Sequence, residues 1–162
     1  MIMDITLKGE IVASITPRLE GSAPDFTLLN QHEEKIKLFS CQKPVILSIF
    51  PDINTSVCSL QTRRFNQEAA NHKEIDFLSI STNTIEEQRN WCAAEGVDMN
   101  ILSDEDGDFG KKYGLLITEG PLKGKMARAV FVVKYGEIVY AQVLSEVAQE
   151  PDYEVVLKAV NE

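Results

Sequence analysis

The sequence predicts an α/β fold: a central mixed sheet with helices on both faces and a β-hairpin ahead of it. Two observations carry that expectation. Short apolar runs of strand character at 45–50 and 75–80 each lead into a helical pattern, and a second hairpin pattern followed by a helix closes the chain. No repeat, low-complexity tract or linker interrupts the 162 residues, so one domain spanning 1–162 is expected.

The elements follow in order. Ile5 to Leu7 and Ile11 to Ile15 alternate apolar with polar around Lys8-Gly9-Glu10, which predicts the N-terminal hairpin. Gly21 to Asp25 is loop chemistry leading into Phe26-Thr27-Leu28-Leu29. Val45-Ile46-Leu47-Ser48-Ile49-Phe50, ended by Pro51, has the pattern of a strand buried on both faces. Cys58, Thr62, Phe65 and Ala69 then form one stripe of a helix reaching about Asn71. Ile75 to Ile80 is a second buried strand, and Thr84-Ile85-Glu86-Glu87 has the capping-box form that opens a helix, with Gly96 as its stop. Ile85 and Cys92 are expected on one face of that helix. A short helix over Asp108 to Tyr113 ends at Gly114. Ala127 to Val133 and Glu137 to Val143 pair across Lys134-Tyr135-Gly136, and Pro151 is placed in the first turn of a last helix that turns Tyr153, Val156, Leu157 and Val160 inward.

Composition excludes several classes. Sixteen Lys and Arg against 25 Asp and Glu leave a formal charge of −9, which disfavours a duplex nucleic-acid binder because phosphates need clustered cations. No apolar run approaches the roughly 18 residues of a bilayer span, and the first residues lack a signal-peptide pattern. Three cysteines is an odd count in a chain large enough to bury a core without disulfides, so the expectation is a cytoplasmic protein whose thiols are inert or catalytic. Cys41, Cys58 and Cys92 show no Cys-x-x-Cys or zinc spacing, and no glycine-rich phosphate loop follows a strand; neither a metal nor a cofactor is expected. His32 and His72 read as surface residues.

Cys58 stands apart. It sits in the first turn of a helix that follows a proline-ended strand, where unpaired N–H groups and the positive end of the dipole favour a thiolate over a thiol. Thr55, three residues earlier, supplies a hydroxyl in the turn. The same pattern also suits a buried cysteine acting as a small hydrophobe with Thr55 as a plain N-cap. Arg128, at the start of an apolar strand, either pairs with an anion or lays its stem along the surface.

The segment Phe50-Pro51-Asp52-Ile53-Asn54-Thr55-Ser56-Val57-Cys58 contains Pro-x-x-x-Thr-x-x-Cys and resembles the active-site motif of peroxiredoxins. The chain is most similar to their bacterial thiol peroxidase subfamily, an atypical two-cysteine class. Ala23-Pro24-Asp25-Phe26, Trp91 to Gly96, Gly120-Pro121-Leu122-Lys123-Gly124, Ala127 to Val130 and Glu150 to Tyr153 carry the same resemblance. It implies a thioredoxin-like fold, with Cys58 as peroxidatic cysteine and Cys92, 34 positions later, as the resolving one. It also implies a peroxide pocket completed by Pro51, Thr55 and Arg128, an intramolecular Cys58–Cys92 disulfide, thioredoxin as reductant and a homodimer. Asp52 and Asn54 stand where the subfamily often has Ser and Asp; an acid pointing at the sulfur would oppose its ionisation. Cys41 matches no functional position.

Such chemistry needs more than an ionised sulfur. An ordinary thiol is already about 7% ionised at pH 7.4, so full ionisation gains about 14-fold. Lowering its pKa by about 2.5 units costs about 13-fold in nucleophilicity. Acceleration must come from fixed donors at the leaving oxygen: Arg128, the Thr55 hydroxyl and the amides near Val57 and Cys58. Leu115, Leu116 and Ile117 are expected to wall the pocket, and disulfide formation to require one or both cysteine segments to unwind. Two other readings stay open on these residues, a general thiol-disulfide oxidoreductase and a redox-sensing binding module.

Overall fold

The computed structural model describes residues 1–162. Strands β1 (Met3–Leu7) and β2 (Glu10–Ile15) form a separate antiparallel ribbon, turned through Lys8 and Gly9, both at positive φ. Six of the remaining strands are β3 (Gly21–Ser22), β4 (Thr27–Asn30), β5 (Lys35–Lys37), β6 (Val45–Ile49), β7 (Asp76–Ser81) and β8 (Asn100–Ser103). With β9 (Ala129–Lys134) and β10 (Glu137–Val143) they make one mixed sheet, ordered β3-β10-β9-β6-β7-β8-β4-β5. β6, β7 and β8 run parallel and β9 lies antiparallel to β6.

Helices α1 (Ser56–Asn71) and α2 (Ile85–Glu95) are the crossovers of β6-α1-β7-α2-β8. Both advance the sheet in the same direction, so right-handed connections put them on one face. Helix α4 (Tyr153–Asn161) joins them there, while α3 (Asp108–Lys112) and the ribbon cover the other face.

The period-2 alternation of the strands supplies both cores. On β9, Val130 and Val132 face the three helices while Ala129, Phe131 and Val133 face the ribbon; on β6, Ile46 faces one side and Leu47 and Ile49 the other. Phe65, Trp91, Val156 and Val160 close the helical side, and Phe26, Phe109 and Tyr113 stack on the opposite one.

Local signals behave as expected at most ends. Thr84 accepts from the Glu87 amide at 3.1 Å and Glu87 returns the bond to the Thr84 amide at 3.1 Å, a complete capping box, and Gly96 ends α2 in the left-handed region. Gly114, at φ 70°, could not be replaced, because a Cβ there would lie 2.0 Å from the Thr16 carbonyl oxygen.

Three expectations need correction. Pro151 lies outside α4: Asp152 is its N-cap, since a carboxylate can accept the Val155 amide (3.2 Å) and proline offers no such acceptor. Cys92 does not pack beside Ile85; Gln88, Trp91 and Cys92 form the buried face of α2, and Ile85 is only half-buried. Leu115 and Ile117 do not line a pocket, because both are fully buried in the ribbon-side core.

Candidate active site

The end of β6 makes the site. Pro51 has no amide hydrogen to continue the ladder, and the chain turns through Asp52–Thr55 into α1 at the carboxyl end of the parallel strands. Thr55 occupies the N-cap in an extended conformation, and the first i→i−4 bond runs from the Ser59 amide to the Thr55 carbonyl at 3.0 Å. The amides of Ser56, Val57 and Cys58 precede that bond and carry the positive end of the helix dipole. Cys58 lies among them with its side chain fully buried.

The guanidinium of Arg128 meets that sulfur: Nη2 stands 3.3 Å from Cys58 Sγ. Arg128 is 2% exposed and has no carboxylate within salt-bridge distance. Its fork is held instead by neutral oxygens. Nε and Nη2 donate to the Val147 carbonyl at 3.2 and 2.8 Å, and Nη1 donates to Gln61 Oε1 at 2.8 Å. Gln61 is itself oriented by donating through Nε2 to Ser48 Oγ (2.8 Å) and the Ile49 carbonyl (3.3 Å), which leaves its oxygen for the arginine. The ribbon fixes Val147 in turn, because Val147 donates to the Thr6 carbonyl and Thr6 to the Ser145 carbonyl, while Glu146 accepts from the Gly9 amide.

A cavity of about 220 Å³ opens over the sulfur. Leu7, Pro51, Val57, Leu122, Val147 and Ala148 supply its apolar wall. Thr55 faces it too, but its hydroxyl donates to the Asp52 carbonyl at 2.9 Å. With its one hydrogen committed, that oxygen offers the cavity lone pairs, not the donor expected from sequence.

Asp52 does not point its charge at the sulfur unopposed. Its carboxylate accepts from Lys125 Nζ at 2.9 Å, Asn83 Nδ2 at 3.0 Å and the Asn54 amide at 3.0 Å. Burial opposes its ionisation, yet the hydrogen bonds from Asn83, Asn54 and Lys125 outweigh that and hold it below the ordinary carboxylate range.

Cys92 sits on α2, unbonded to Cys58, against the same helical-side core. Burial first, and then the negative charge of Asp98, push its thiol up to about 11. Cys41 lies elsewhere, half-buried in a groove with Phe39 and Tyr135, and takes no part here.

The structure thus brings Cys58, Pro51, Thr55 and Arg128 together and leaves Cys92 on a neighbouring helix. Sequence reasoning missed Gln61, Lys125 and the Val147 carbonyl. Only Gln61 left a trace, as a polar side chain on the apolar stripe of α1.

The AhpC/TSA family pattern matches residues 19–142. The chain belongs to that family. A thiol peroxidase of Oceanobacillus iheyensis is 43% identical, over 98% of both chains, and one of Bacillus subtilis is 40% identical, over 96% of this chain and 95% of its own. In structure, a peroxiredoxin-like protein from Aquifex aeolicus superimposes with a TM-score of 0.89 at 27% identity, covering 98% of this chain and 95% of that one. A thiol peroxidase from Chromobacterium violaceum superimposes at 0.86 over 98% and 96%; at 19% identity it speaks for the thioredoxin-like fold alone. This AhpC/TSA member has no helix long and apolar enough to cross a membrane.

Proposed function

We propose that this chain reduces hydroperoxides with Cys58 as the nucleophile and Cys92 as the thiol that resolves the product. Thiol-dependent peroxide reduction is the activity of its family and of relatives 37–43% identical to it, so the reaction class follows from membership. The residue roles rest on one observation, the buried Arg128 that has the Cys58 sulfur at 3.3 Å and no carboxylate partner. A cation removed from water needs an anion, and a thiolate is the one within reach.

In the first step the Cys58 thiolate attacks the terminal oxygen of ROOH. An S–O bond forms as the O–O bond breaks, sulfur loses an electron pair to the leaving oxygen, and that alkoxide or hydroxide takes a proton to become alcohol or water. Arg128 and the first amides of α1 donate to the oxygens as charge builds on them. The Thr55 oxygen accepts from the peroxide O–H and so orients it. Pro51 and the apolar wall keep water from the sulfur. In the second step the Cys92 sulfur displaces hydroxide from the sulfenic acid; an S–S bond forms, the S–O bond breaks, and the Cys92 proton leaves with the oxygen as water. An external dithiol, thioredoxin in our reading, then reduces the disulfide by exchange.

A thiol held up at about 11 is a poor nucleophile, and a disulfide needs Cα atoms within about 7 Å, so Cys92 must leave its buried setting before it reacts. We also take residues 1–162 to be a single catalytic domain, working as a homodimer in the cytoplasm, where free thiols persist. Mass spectrometry after one equivalent of peroxide tests the pairing, with a 58–92 crosslinked peptide expected. Cys58→Ser is expected to abolish peroxide turnover. Activity that survives it, or a crosslink through Cys41, overturns the assignment.

A further inference from the structure

The turn before α1 and the first turn of α2 are joined through Asn83, which lies between β7 and α2. All four hydrogen-bonding positions of its side chain are used. Oδ1 accepts from the Ile53 amide and from Ser81 Oγ, both at 2.8 Å. Nδ2 donates to Asp52 Oδ1 at 3.0 Å and to Glu87 Oε2 at 3.4 Å. The same Glu87 oxygen accepts from Asn54 Nδ2 at 3.1 Å, a direct bond between the two segments. Glu87 Oε1 meanwhile caps α2 by accepting from the Thr84 amide.

None of this serves the peroxide step. Asn54 is exposed, neither Asn54, Asn83 nor Glu87 lines the cavity over Cys58, and none of the three touches Arg128. The second step is different. Both cysteines are helical and unbonded, and each follows one side of the bridge: Asn54 leads into the helix of Cys58 and Glu87 stands in the first turn of the helix of Cys92. Opening either segment breaks the Asn54–Glu87 bond, so that bond adds to the free energy of the opened state.

We propose that the Asn54–Glu87 contact, seated on Asn83, is a latch that sets the rate of sulfenic acid resolution without setting the rate of peroxide attack. This rests on Cys92 being the resolving thiol. These are positioning residues for the second half of the cycle. A tighter latch prolongs the sulfenic acid and exposes it to a second peroxide; a looser one shortens its life. The turnover at which the enzyme overoxidises is therefore written partly at a surface asparagine, about one helical turn away from the nucleophile in sequence.

Stopped-flow fluorescence of Trp91, the sole tryptophan and the neighbour of Cys92, reads the two steps separately. In Asn54→Ala the peroxide-dependent phase is expected unchanged within about twofold. The peroxide-independent phase should quicken about three- to tenfold, the worth of one hydrogen bond. The peroxide concentration giving half overoxidation should rise by the same factor. Asn54→Asp sets a carboxylate against Glu87, so its acceleration should be larger and should shrink towards that of Asn54→Ala when either acid is protonated below about pH 4. A generally weakened fold would not give that pH profile. Resolution within about twofold of wild type in both variants, or equal changes in both phases, overturns the latch while the 58–92 crosslink still forms. Absence of that crosslink in the wild type removes the Cys92 reading itself, and the latch with it.

Discussion

The indole N–H of Trp91 donates to the Ser59 hydroxyl at 3.2 Å. The two residues are the immediate neighbours of Cys92 and Cys58, so a single bond ties the helix of one sulfur to the helix of the other. Trp91 is 8% exposed in this arrangement. Joining the sulfurs requires the backbone to move on at least one side, and the bond cannot survive that. Peroxide is therefore expected to change the Trp91 emission, and dithiothreitol to restore it. In Cys92→Ser the change should be lost although peroxide is still consumed once; an identical signal in that variant would refute the coupling.

Arg128 is expected to matter more than ionisation of the sulfur can explain. Arg128→Met removes the donor at 3.3 Å from Cys58 and leaves Gln61 Oε1 and the Val147 carbonyl without their partner. Loss of a fixed donor of this kind costs about a hundredfold or more in rate. Arg128→Lys should recover little, because a single ammonium cannot reach sulfur, Gln61 and Val147 together. Stopped-flow oxidation rates set beside thiolate absorbance check this; rates that fall only in step with the thiolate fraction would disprove it.

Cys92 should be chemically silent until its helix opens. With the thiol pushed up to about 11, its thiolate fraction at pH 8 is about a hundredfold below that of an ordinary thiol at the reference value of 9.0. Alkylation of Cys92 in a Cys41→Ser, Cys58→Ser background is expected to be slow in the native protein and to accelerate at least that much in urea. The sign for stability follows. A thiol raised on folding favours the native state below its unfolded pKa, and the contribution disappears as pH rises from 9.0 through about 11. Cys92→Ala should flatten the alkaline end of the stability profile.

Asp52 predicts the opposite slope. Its folded pKa lies below the ordinary 3.8 because hydrogen bonds from Asn83, Asn54 and Lys125 outweigh the burial that opposes its charge. Its stabilisation is present above about pH 4 and lost as pH falls through the depressed folded value. Asp52→Asn keeps an acceptor for Asn83 and the Asn54 amide but has no charge to titrate. Urea denaturation at pH 5 and pH 3 should show a smaller acid loss in the variant; equal losses would mean that the Lys125 contact contributes nothing.

Much of this protein was readable one segment at a time. Strands β6 and β7 follow from short apolar runs, α2 from its capping box, and the grouping of Pro51, Thr55 and Cys58 from their places along a single strand-to-helix turn. Periodicity, caps and a proline act over a few residues, so the sequence states them directly. β8 and the β4–β5 pair escaped notice because strands of three or four residues are too short to display a period.

What completes the site is different in kind. Arg128 reaches Cys58 only because β9 inserts antiparallel against β6, which sets the start of one strand beside the end of the other. The Val147 carbonyl has no side-chain signature at all, and Gln61, Asn83 and Lys125 become meaningful only through partners far away in the chain. Local chemistry named the nucleophile; strand order chose the groups that surround it, because long-range pairing depends on which whole surfaces pack and leaves no mark at any single position.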